Sequence, residues 1–211
     1  MRRPIVLARN LLLLLLLLFL AGSVLANDVV GVPRVWDTSP LELGVDEWKK
    51  LGDQVYTVTL QEDVGVQIYA VYDEKNLYLG FYVTDPFLTF VDDYSKNFTG
   101  SDHLRVYLKV DKWHEKDNLI LYLLPTSKIK EPLLRISGLS WHRNAFKVKS
   151  VIMKEGYFLK LAVSLQELEL LALPEEKIRL NCQINRVTKN GASTIWLVGE
   201  KDTDGLVLTL E

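Results

Sequence analysis

His103-Leu104-Arg105-Val106-Tyr107-Leu108-Lys109-Val110 is the stretch of this sequence that decides its fold class. Aliphatic residues occupy every second position, and the positions between them carry polar or aromatic side chains. Successive side chains of a β-strand point to opposite faces, so the alternation predicts a strand with one face in a hydrophobic core. The other face then carries His103, Arg105, Tyr107 and Lys109.

The same alternation recurs along the rest of the chain, interrupted by residues that are typical of turns. The predicted strands are 55–60, 64–72, 77–84, 103–110, 119–124, 133–136, 146–153, 157–163, 178–187, 194–198 and 206–210. Short helices are predicted at 46–51 and at 165–171, where Ser164 and Glu167 have the spacing of a capping box. Because no long helix separates the strands, they must pair antiparallel. The sequence predicts an all-β fold, an antiparallel two-layer β-sandwich that is jelly-roll-like and has one or two short helices.

The first 26 residues have the features of a signal peptide. Arg2, Arg3 and Arg9 form a basic start, an apolar run follows, and Val24-Leu25-Ala26 offers small residues for cleavage. The apolar stretch is shorter than the about 20 residues that a membrane-spanning helix needs, so a permanent transmembrane anchor is the second choice. The sequence therefore predicts export to the periplasm, the cell surface or the medium, with residues 27–211 as a single domain.

Charge and cysteine content argue against several classes of function. The chain has 25 Lys and Arg against 27 Asp and Glu, and three of the arginines lie in the predicted signal peptide. The remainder has 22 basic and 27 acidic residues, a net charge of −5, which does not fit a nucleic-acid-binding surface. Cys182 is the only cysteine, so the chain can form no internal disulfide and no thiolate metal site. Its place in an alternating stretch predicts a buried structural thiol.

Polar and aromatic side chains share the outward positions of several predicted strands. If these rows lie on one sheet, they form a face of Tyr, Asn, Gln, Arg and Lys. Aromatic rings can contact the CH groups of a sugar while amide and guanidinium groups bond its hydroxyls. The alternative is that these are ordinary solvated positions. The ligand-binding residues predicted in this way are Tyr78, Tyr82, Arg105, Tyr107, Lys160, Gln183 and Asn185.

Several stretches resemble the family 9 carbohydrate-binding modules and their wider β-sandwich superfamily. They are Tyr72-Asp73-Glu74-Lys75-Asn76-Leu77-Tyr78-Leu79 with Val83-Thr84-Asp85, Ser101-Asp102-His103-Leu104-Arg105-Val106-Tyr107-Leu108, and Gly156-Tyr157-Phe158-Leu159-Lys160-Leu161-Ala162-Val163. Asp46-Glu47-Trp48 and Asn181-Cys182-Gln183-Ile184-Asn185 are similar to two further elements of the family, in the same order. The resemblance covers residues 31–211 and implies a β-sandwich, commonly stabilised by calcium, whose sugar-binding members hold a glycan end between two tryptophans.

The resemblance also assigns positions. Phe98 is the aromatic residue nearest to the place of the family's first tryptophan, and Trp196 matches the strand residue ahead of the loop that brings the second one. Acidic positions of the family are Arg105 and Lys160 here. Gln183 and Asn185 are the positions that carry over most directly as sugar hydrogen-bonding residues.

Two loops contain tryptophans and two contain clusters of acids. Trp113 and Trp141 lie in or beside loops, where they either stack on a ligand or cover the sandwich edge. Calcium prefers several oxygen ligands, so each acidic loop is a candidate calcium site, although solvated acidic turns are the favoured explanation. The candidate metal ligands are Asp111, Glu115 and Asp117 in one loop, and Asp202 and Asp204 in the other.

Other chemistry has weaker support in the sequence. The three histidines, His103, His114 and His142, show no zinc-binding spacing, and one of them with Met153 is the axial pair that a haem-binding relative would use. No nucleophile elbow or phosphate-binding loop is present, so no enzymatic activity is predicted.

The predicted function is therefore that of an exported, non-catalytic protein, similar to a carbohydrate-binding module, which binds an oligo- or polysaccharide or a similar polyol. The alternative is an interaction or structural protein of the cell envelope, with an envelope protein as partner, that retains the sandwich without the sugar site.

Overall fold

The computed structural model describes residues 29–36, 39–51, 53–61, 64–90, 100–113, 118–125, 132–137, 143–189, 191–198 and 205–211. Its strands are β1 Val29–Val32, β2 Asp53–Gln61, β3 Val64–Tyr72, β4 Asn76–Thr84, β5 His103–Val110, β6 Leu119–Leu124, β7 Leu133–Ser137, β8 Phe146–Met153, β9 Gly156–Ser164, β10 Lys177–Thr188, β11 Gly191–Trp196 and β12 Leu206–Leu210. One α-helix, α1, spans Val45–Leu51, and short 3-10 helices span Pro40–Glu42 and Arg143–Ala145. Within these ranges no helix is long and apolar enough to cross a membrane.

The strands form two sheets, which confirms the predicted β-sandwich. In the seven-stranded sheet the order is β1-β12-β10-β5-β6-β7, and β11 pairs with the second half of β10. In the five-stranded sheet the order is β2-β3-β4-β9-β8. Neighbouring strands are antiparallel except for β1, a strand that the sequence did not predict, which pairs parallel with β12. A parallel pair is possible there because nearly the whole domain separates the two strands in sequence.

One hydrophobic core lies between the inward faces of the two sheets. Leu104, Val106 and Leu108 of β5 are fully buried in it, as their alternation predicts. Cys182 of β10 is also fully buried there, and burial raises the pKa of its thiol far above the usual range. The prediction of a structural thiol is thus confirmed.

A second apolar cluster covers part of the outer face of the five-stranded sheet. Trp48 of α1 is fully buried in it, with its ring centroid 5.9 Å from that of Phe158 and its Nε1 donating to the Pro40 carbonyl oxygen at 2.5 Å. A Cβ at Gly80 would lie 3.0 Å from the Trp48 ring and 3.1 Å from Phe158, so glycine leaves the room that the indole needs. The helix predicted at 46–51 is therefore confirmed, and its role is to cover a sheet face.

The helix predicted at 165–171 is wrong. The chain makes a turn there, in which the Leu168 amide donates to the Ser164 carbonyl oxygen at 3.2 Å. Glu169 then has a φ of 57°, and a left-handed residue ends the helical path after one turn. The predicted strand 194–198 is also shifted, since β11 begins at Gly191 and ends at Trp196.

Candidate functional site

The ligand-binding residues predicted from the sequence lie on two different sheets. Arg105 and Tyr107 belong to β5 and Gln183 and Asn185 to β10, and these two strands pair in the seven-stranded sheet. Tyr78, Tyr82 and Lys160 belong to β4 and β9 of the five-stranded sheet. Because the two sheets pack through their inward faces, the two groups point away from each other. The condition for one continuous face, that these rows lie on one sheet, is therefore not met.

On the five-stranded sheet, the predicted residues contact the protein's own groups. Lys160 is 4% exposed and its Nζ donates to the Leu43 carbonyl oxygen at 2.7 Å. Burial lowers its pKa, and the charge of Lys149 lowers it further. These contacts give Lys160 a structural role in holding the segment that precedes α1.

Both predicted tyrosines of β4 are also engaged within the protein. Tyr78 donates its hydroxyl proton to Asp73 Oδ2 at 2.7 Å and accepts a hydrogen bond from Asn76 Nδ2 at 3.1 Å. Burial, with the hydrogen bond to Asp73, raises the pKa of Tyr78 to about 12. Tyr82 is half-buried, and the Lys49 ammonium lies 4.4 Å from the centroid of its ring.

The outer face of the seven-stranded sheet carries a polar and aromatic row that crosses four strands. Tyr122 of β6 stands opposite Arg105 of β5, Arg105 opposite Gln183 of β10, and Gln183 opposite Trp196 of β11. Alternation on each strand keeps these side chains on the outward face. With Tyr107, which lies beside Arg105 on β5, these residues form the group that we call the Arg105 cluster.

Hydrogen bonds and ring contacts connect the Arg105 cluster. Arg105 Nη1 donates to Gln183 Oε1 at 3.1 Å and to the Tyr107 hydroxyl at 3.4 Å, and the Tyr107 hydroxyl donates to Gln183 Oε1 at 3.0 Å. The guanidinium lies 4.9 Å from the centroid of the Tyr122 ring. The rings of Tyr107 and Trp196 are 5.2 Å apart and inclined by 34°. The cluster is thus fixed from several sides.

Exposure divides the cluster into an outer and an inner part. Arg105, Tyr122 and Trp196 are half-buried, whereas Tyr107 and Gln183 are 8% and 6% exposed. The groups that a ligand can reach are therefore the guanidinium and the two outer rings. Tyr107 and Gln183 lie beneath them and hold Arg105 in place.

Asn185 and His103 lie next to the cluster, on the same face. Asn185 Nδ2 donates to the Ser101 carbonyl oxygen at 3.2 Å, and its Oδ1 accepts a hydrogen bond from Thr194 Oγ1 at 3.1 Å. His103 Nδ1 lies 2.9 Å from the same carbonyl oxygen. Burial lowers the pKa of His103, the hydrogen bond to Ser101 opposes this shift, and the charge of Arg105 adds to it. The lowered pKa favours the neutral form of the His103 ring.

A buried polar network joins the end of β10 to the loop after β4. Arg186 Nε donates to Asp85 Oδ2 at 2.7 Å and Nη2 donates to Asp85 Oδ1 at 3.1 Å, a fork geometry in which both partners are largely buried. Asp102 accepts the amide hydrogens of Thr89 and Val187, each at 2.6 Å. The network fixes the position of the loop beside β10.

Two members of the cluster were missing from the predicted site. Alternation in 119–124 turns Tyr122 outward, so the sequence held the signal for it. Trp196 was identified as a strand residue, but its place opposite Gln183 depends on the pairing register of β11 with β10. Only the structure supplies that register.

The remaining predicted ligand-binding and metal-binding residues are distributed as follows. Trp113 is half-buried and packs against the main core. Asp111 is exposed and forms an ion pair with Arg179 Nε at 3.5 Å. The residues that lie outside the described ranges are Phe98, Trp141, Glu115, Asp117, Asp202 and Asp204.

The described residues bear on metal and haem ligation in two ways. Within the described ranges, no group of three or more His, Cys, Asp or Glu residues could hold a metal ion, and calcium stays a prediction for the two acidic loops. Met153 packs on the second cluster of the five-stranded sheet, whereas His103 lies on the seven-stranded sheet. These two residues therefore cannot ligate the same haem. His114 and His142 lie outside the described ranges.

Three similar solved structures are described as carbohydrate-binding proteins, one of them as a candidate. A family 9 carbohydrate-binding module from Caldicellulosiruptor kristjanssonii in complex with cellotriose has a TM-score of 0.65 and 14% sequence identity, over 87% of this chain and 94% of that chain. The module in complex with glucose has a TM-score of 0.64 and 14% identity, over 87% of this chain and 96% of that chain. A candidate carbohydrate-binding protein from Bacteroides uniformis has a TM-score of 0.55 and 11% identity, over 87% of this chain and 99% of that chain.

Sequence comparisons add nothing to this similarity. No protein-family model matches the chain, and no curated protein matches it. The resemblance to family 9 modules that the sequence motifs predicted is confirmed by structure, and at this level of identity it establishes the fold.

Proposed function

We propose that this protein is an exported, non-catalytic carbohydrate-binding protein whose ligand, a glycan or similar polyol, binds at the Arg105 cluster. The observation that supports this most is the row that crosses the seven-stranded sheet, with an aromatic ring at each end and donor groups between them. Neighbouring strands are about 4.8 Å apart, so the row spans about 14 Å, enough for a short oligosaccharide. Rings contact the apolar face of a sugar, and the guanidinium bonds its oxygens.

The shared fold supports the proposal from a second side. Two of the similar structures hold cellotriose and glucose, respectively, so this sandwich can serve as a scaffold for sugar recognition. The Arg105 cluster itself consists of an arginine, an amide and three aromatic rings, a set suited to binding rather than to acid–base chemistry. Export rests on the predicted signal peptide, and calcium binding rests on the two acidic loops.

Binding assays with the mature protein test the proposal. A glycan array, run with calcium and again with a chelator, should show selective binding, and a loss of signal with the chelator would indicate a structural calcium ion. Trp196→Ala should lower the affinity for the best glycan by about 10-fold or more, because the aromatic contact at one end of the row is lost. Gln183→Ala should also weaken binding, because Arg105 loses a partner that holds it.

A matched control comes from an aromatic residue elsewhere on the surface. Phe87 is 69% exposed and lies outside the cluster, so Phe87→Ala should leave the affinity unchanged. Equal losses in Phe87→Ala and Trp196→Ala would contradict the assignment of the site. A blank array with a folded protein would contradict the function itself.

One observation favours a second candidate function, an interaction or structural role in the cell envelope. Gln183 and Asn185 are each 6% exposed, and both bond to the protein's own groups, as residues without a ligand would. A protein of this kind would give a blank array and would retain an envelope protein in affinity purification. The array therefore separates the two functions.

A further inference from the structure

We infer that the ligand of the Arg105 cluster is an acidic glycan, whose carboxylate or sulfate group binds the Arg105 guanidinium. This inference rests on the proposed function and specifies its ligand class. The starting point is that Arg105 lies in the middle of the cross-strand row, between the two rings that a ligand can reach.

Among the residues that the structure describes, every hydrogen bond and ring contact of Arg105 is to a neutral group. Nη1 donates to the Gln183 amide oxygen and to the Tyr107 hydroxyl, and the guanidinium lies over the Tyr122 ring. Its Nε is buried without a hydrogen-bond partner, and no carboxylate of the described residues forms an ion pair with Arg105. A guanidinium offers a planar fork of N–H donors; because Nε is buried and Nη1 is already bonded, the donor left for a ligand is Nη2.

Three other half-buried arginines each have a carboxylate partner that neutralises their charge. Arg186 has a fork contact with Asp85 at 2.7 Å, Arg34 has Glu74 at 2.9 Å, and Arg179 has Asp111 at 3.5 Å. Arg105 is half-buried, and a charge that is partly removed from water without a counter-charge is unfavourable. Among the half-buried arginines that the structure describes, Arg105 is the one without a carboxylate partner, and its place at the centre of the candidate site points to an anion supplied from outside.

The surroundings of Arg105 favour an anion as well. The outward positions of the described strands β5, β6, β7, β10 and β11 include no Asp or Glu. They do include further cations, among them Lys109 on the same strand and Arg135, which stands opposite Tyr122 and is exposed. The lowered pKa of His103, to which the charge of Arg105 contributes, is consistent with a positive potential at this place. A carboxylate or sulfate could accept a charge-assisted hydrogen bond from Arg105 Nη2 while its sugar ring stacks on Tyr122 or Trp196.

Pairs of probes that differ only in charge test the inference. Calorimetric titrations of the mature protein would compare trigalacturonic acid with its methyl ester, and a κ-carrageenan tetrasaccharide with its desulfated form. We expect the acidic member of at least one pair to bind about 10-fold or more tightly than its neutral partner, because charge-assisted hydrogen bonds are the stronger kind. The first pair reports on carboxylates and the second on sulfates.

Variants locate the effect at Arg105. Arg105→Gln should remove the preference for the acidic probe, and Arg105→Lys should retain part of it, since the charge stays and the fork is lost. Lys147→Gln removes a charge from an exposed position on the five-stranded sheet and should change nothing. Thermal unfolding of each variant would show that the fold is retained.

The outcomes separate this inference from the proposed function. If the neutral members bind as well as the acidic ones, or if Arg105→Gln binds the acid unchanged, the inference is wrong and the proposed function stands. If no probe binds and the glycan array is blank, both are overturned.

Discussion

Asp102 is a carboxyl group that folding removes almost entirely from water. It is 1% exposed, and its two oxygens each accept a backbone amide hydrogen at 2.6 Å, from Thr89 and Val187. Burial is the largest influence and raises its pKa to about 6; the two amides and Arg186 oppose the shift, and the neighbouring Asp85 adds to it. Asp102 thus changes its charge close to neutral pH.

The raised pKa of Asp102 gives a pH dependence with a defined sign. Because the folded-state pKa lies above the ordinary 3.8, the folded protein binds this proton more tightly than the unfolded chain does. The contribution of Asp102 to stability is fully present below pH 3.8 and is lost as the pH rises through about 6. The shift corresponds to at most about 3 kcal/mol.

Urea denaturation across this pH range measures the effect. We expect the unfolding free energy of the wild type, measured relative to that of Asp102→Asn, to fall from pH 4 to about pH 6 and to stay constant above it. The Asn variant is the control, because it keeps the shape and lacks the titration. If this relative free energy instead rises with pH, the amide hydrogen bonds to Asp102 outweigh the effect of burial on its pKa.

At the scale of single residues, the sequence predicted which side chains point outward but not how far they are buried. Alternation placed Arg105, Tyr107 and Gln183 on the outward face, and the structure confirms this. It could not predict that Gln183 is only 6% exposed, because burial on the outer face depends on neighbouring strands. The lack of a carboxylate partner at Arg105 likewise becomes visible only when its cross-strand partners are known.

Among the elements, α1 is attached to the sandwich mainly through one side chain. Trp48 is fully buried on the outer face of the five-stranded sheet, with Phe158 and Gly80 beneath it. Lys160 adds a hydrogen bond to the Leu43 carbonyl oxygen in the segment before α1. With seven residues, the helix is too short to be stable alone, so packing must hold it.

Removing the indole should release this element. We expect Trp48→Ala to lower the unfolding free energy by about 3–5 kcal/mol, because a large buried side chain is deleted and a cavity remains. In this variant the amides of α1 should exchange with deuterium much faster than in the wild type, while those of β5 should change little. Hydrogen-exchange mass spectrometry would detect the difference. The control is Trp36→Ala in the same segment, since Trp36 is 64% exposed and its removal should cost at most about 1 kcal/mol. Unchanged exchange in α1 would show that other contacts hold the helix.

Elements were predicted well where a local pattern defines them and poorly where distant contacts do. The strands 64–72, 103–110 and 119–124 have the predicted bounds because their side chains alternate without interruption. The helix at 165–171 failed because the left-handed conformation of Glu169 overrides a favourable capping sequence. The assignment of β4 and β9 to one sheet and of β5 and β10 to the other joins strands far apart in sequence, which alternation cannot reveal.

For the molecule as a whole, Cys182 is a built-in reporter of unfolding. The thiol is fully buried in the core between the two sheets, and burial raises its pKa far above the usual range. A reagent that attacks thiolates can therefore reach it only when the sandwich opens. We expect 5,5′-dithiobis(2-nitrobenzoate) to react slowly with the native protein, and the rate to rise with urea as steeply as global unfolding does.

The control for this experiment places the same group at the surface. Ser193 of β11 is exposed, so a Ser193→Cys substitution combined with Cys182→Ser should react at once and independently of urea. If the rate at Cys182 does not depend on urea, β10 opens locally without the rest of the core, and the two sheets are less cooperative than their shared core indicates.

The parallel pairing of β1 and β12 has a mechanical consequence. Val29 stands opposite Val207 and Val32 opposite Leu210, so the ends of the described domain leave the ladder in opposite directions. A pull between them would load all hydrogen bonds of the ladder in shear and at the same time, instead of breaking them one after another. Tension along the chain would therefore be resisted first where its two ends meet, before it reaches β5 and its partner β10.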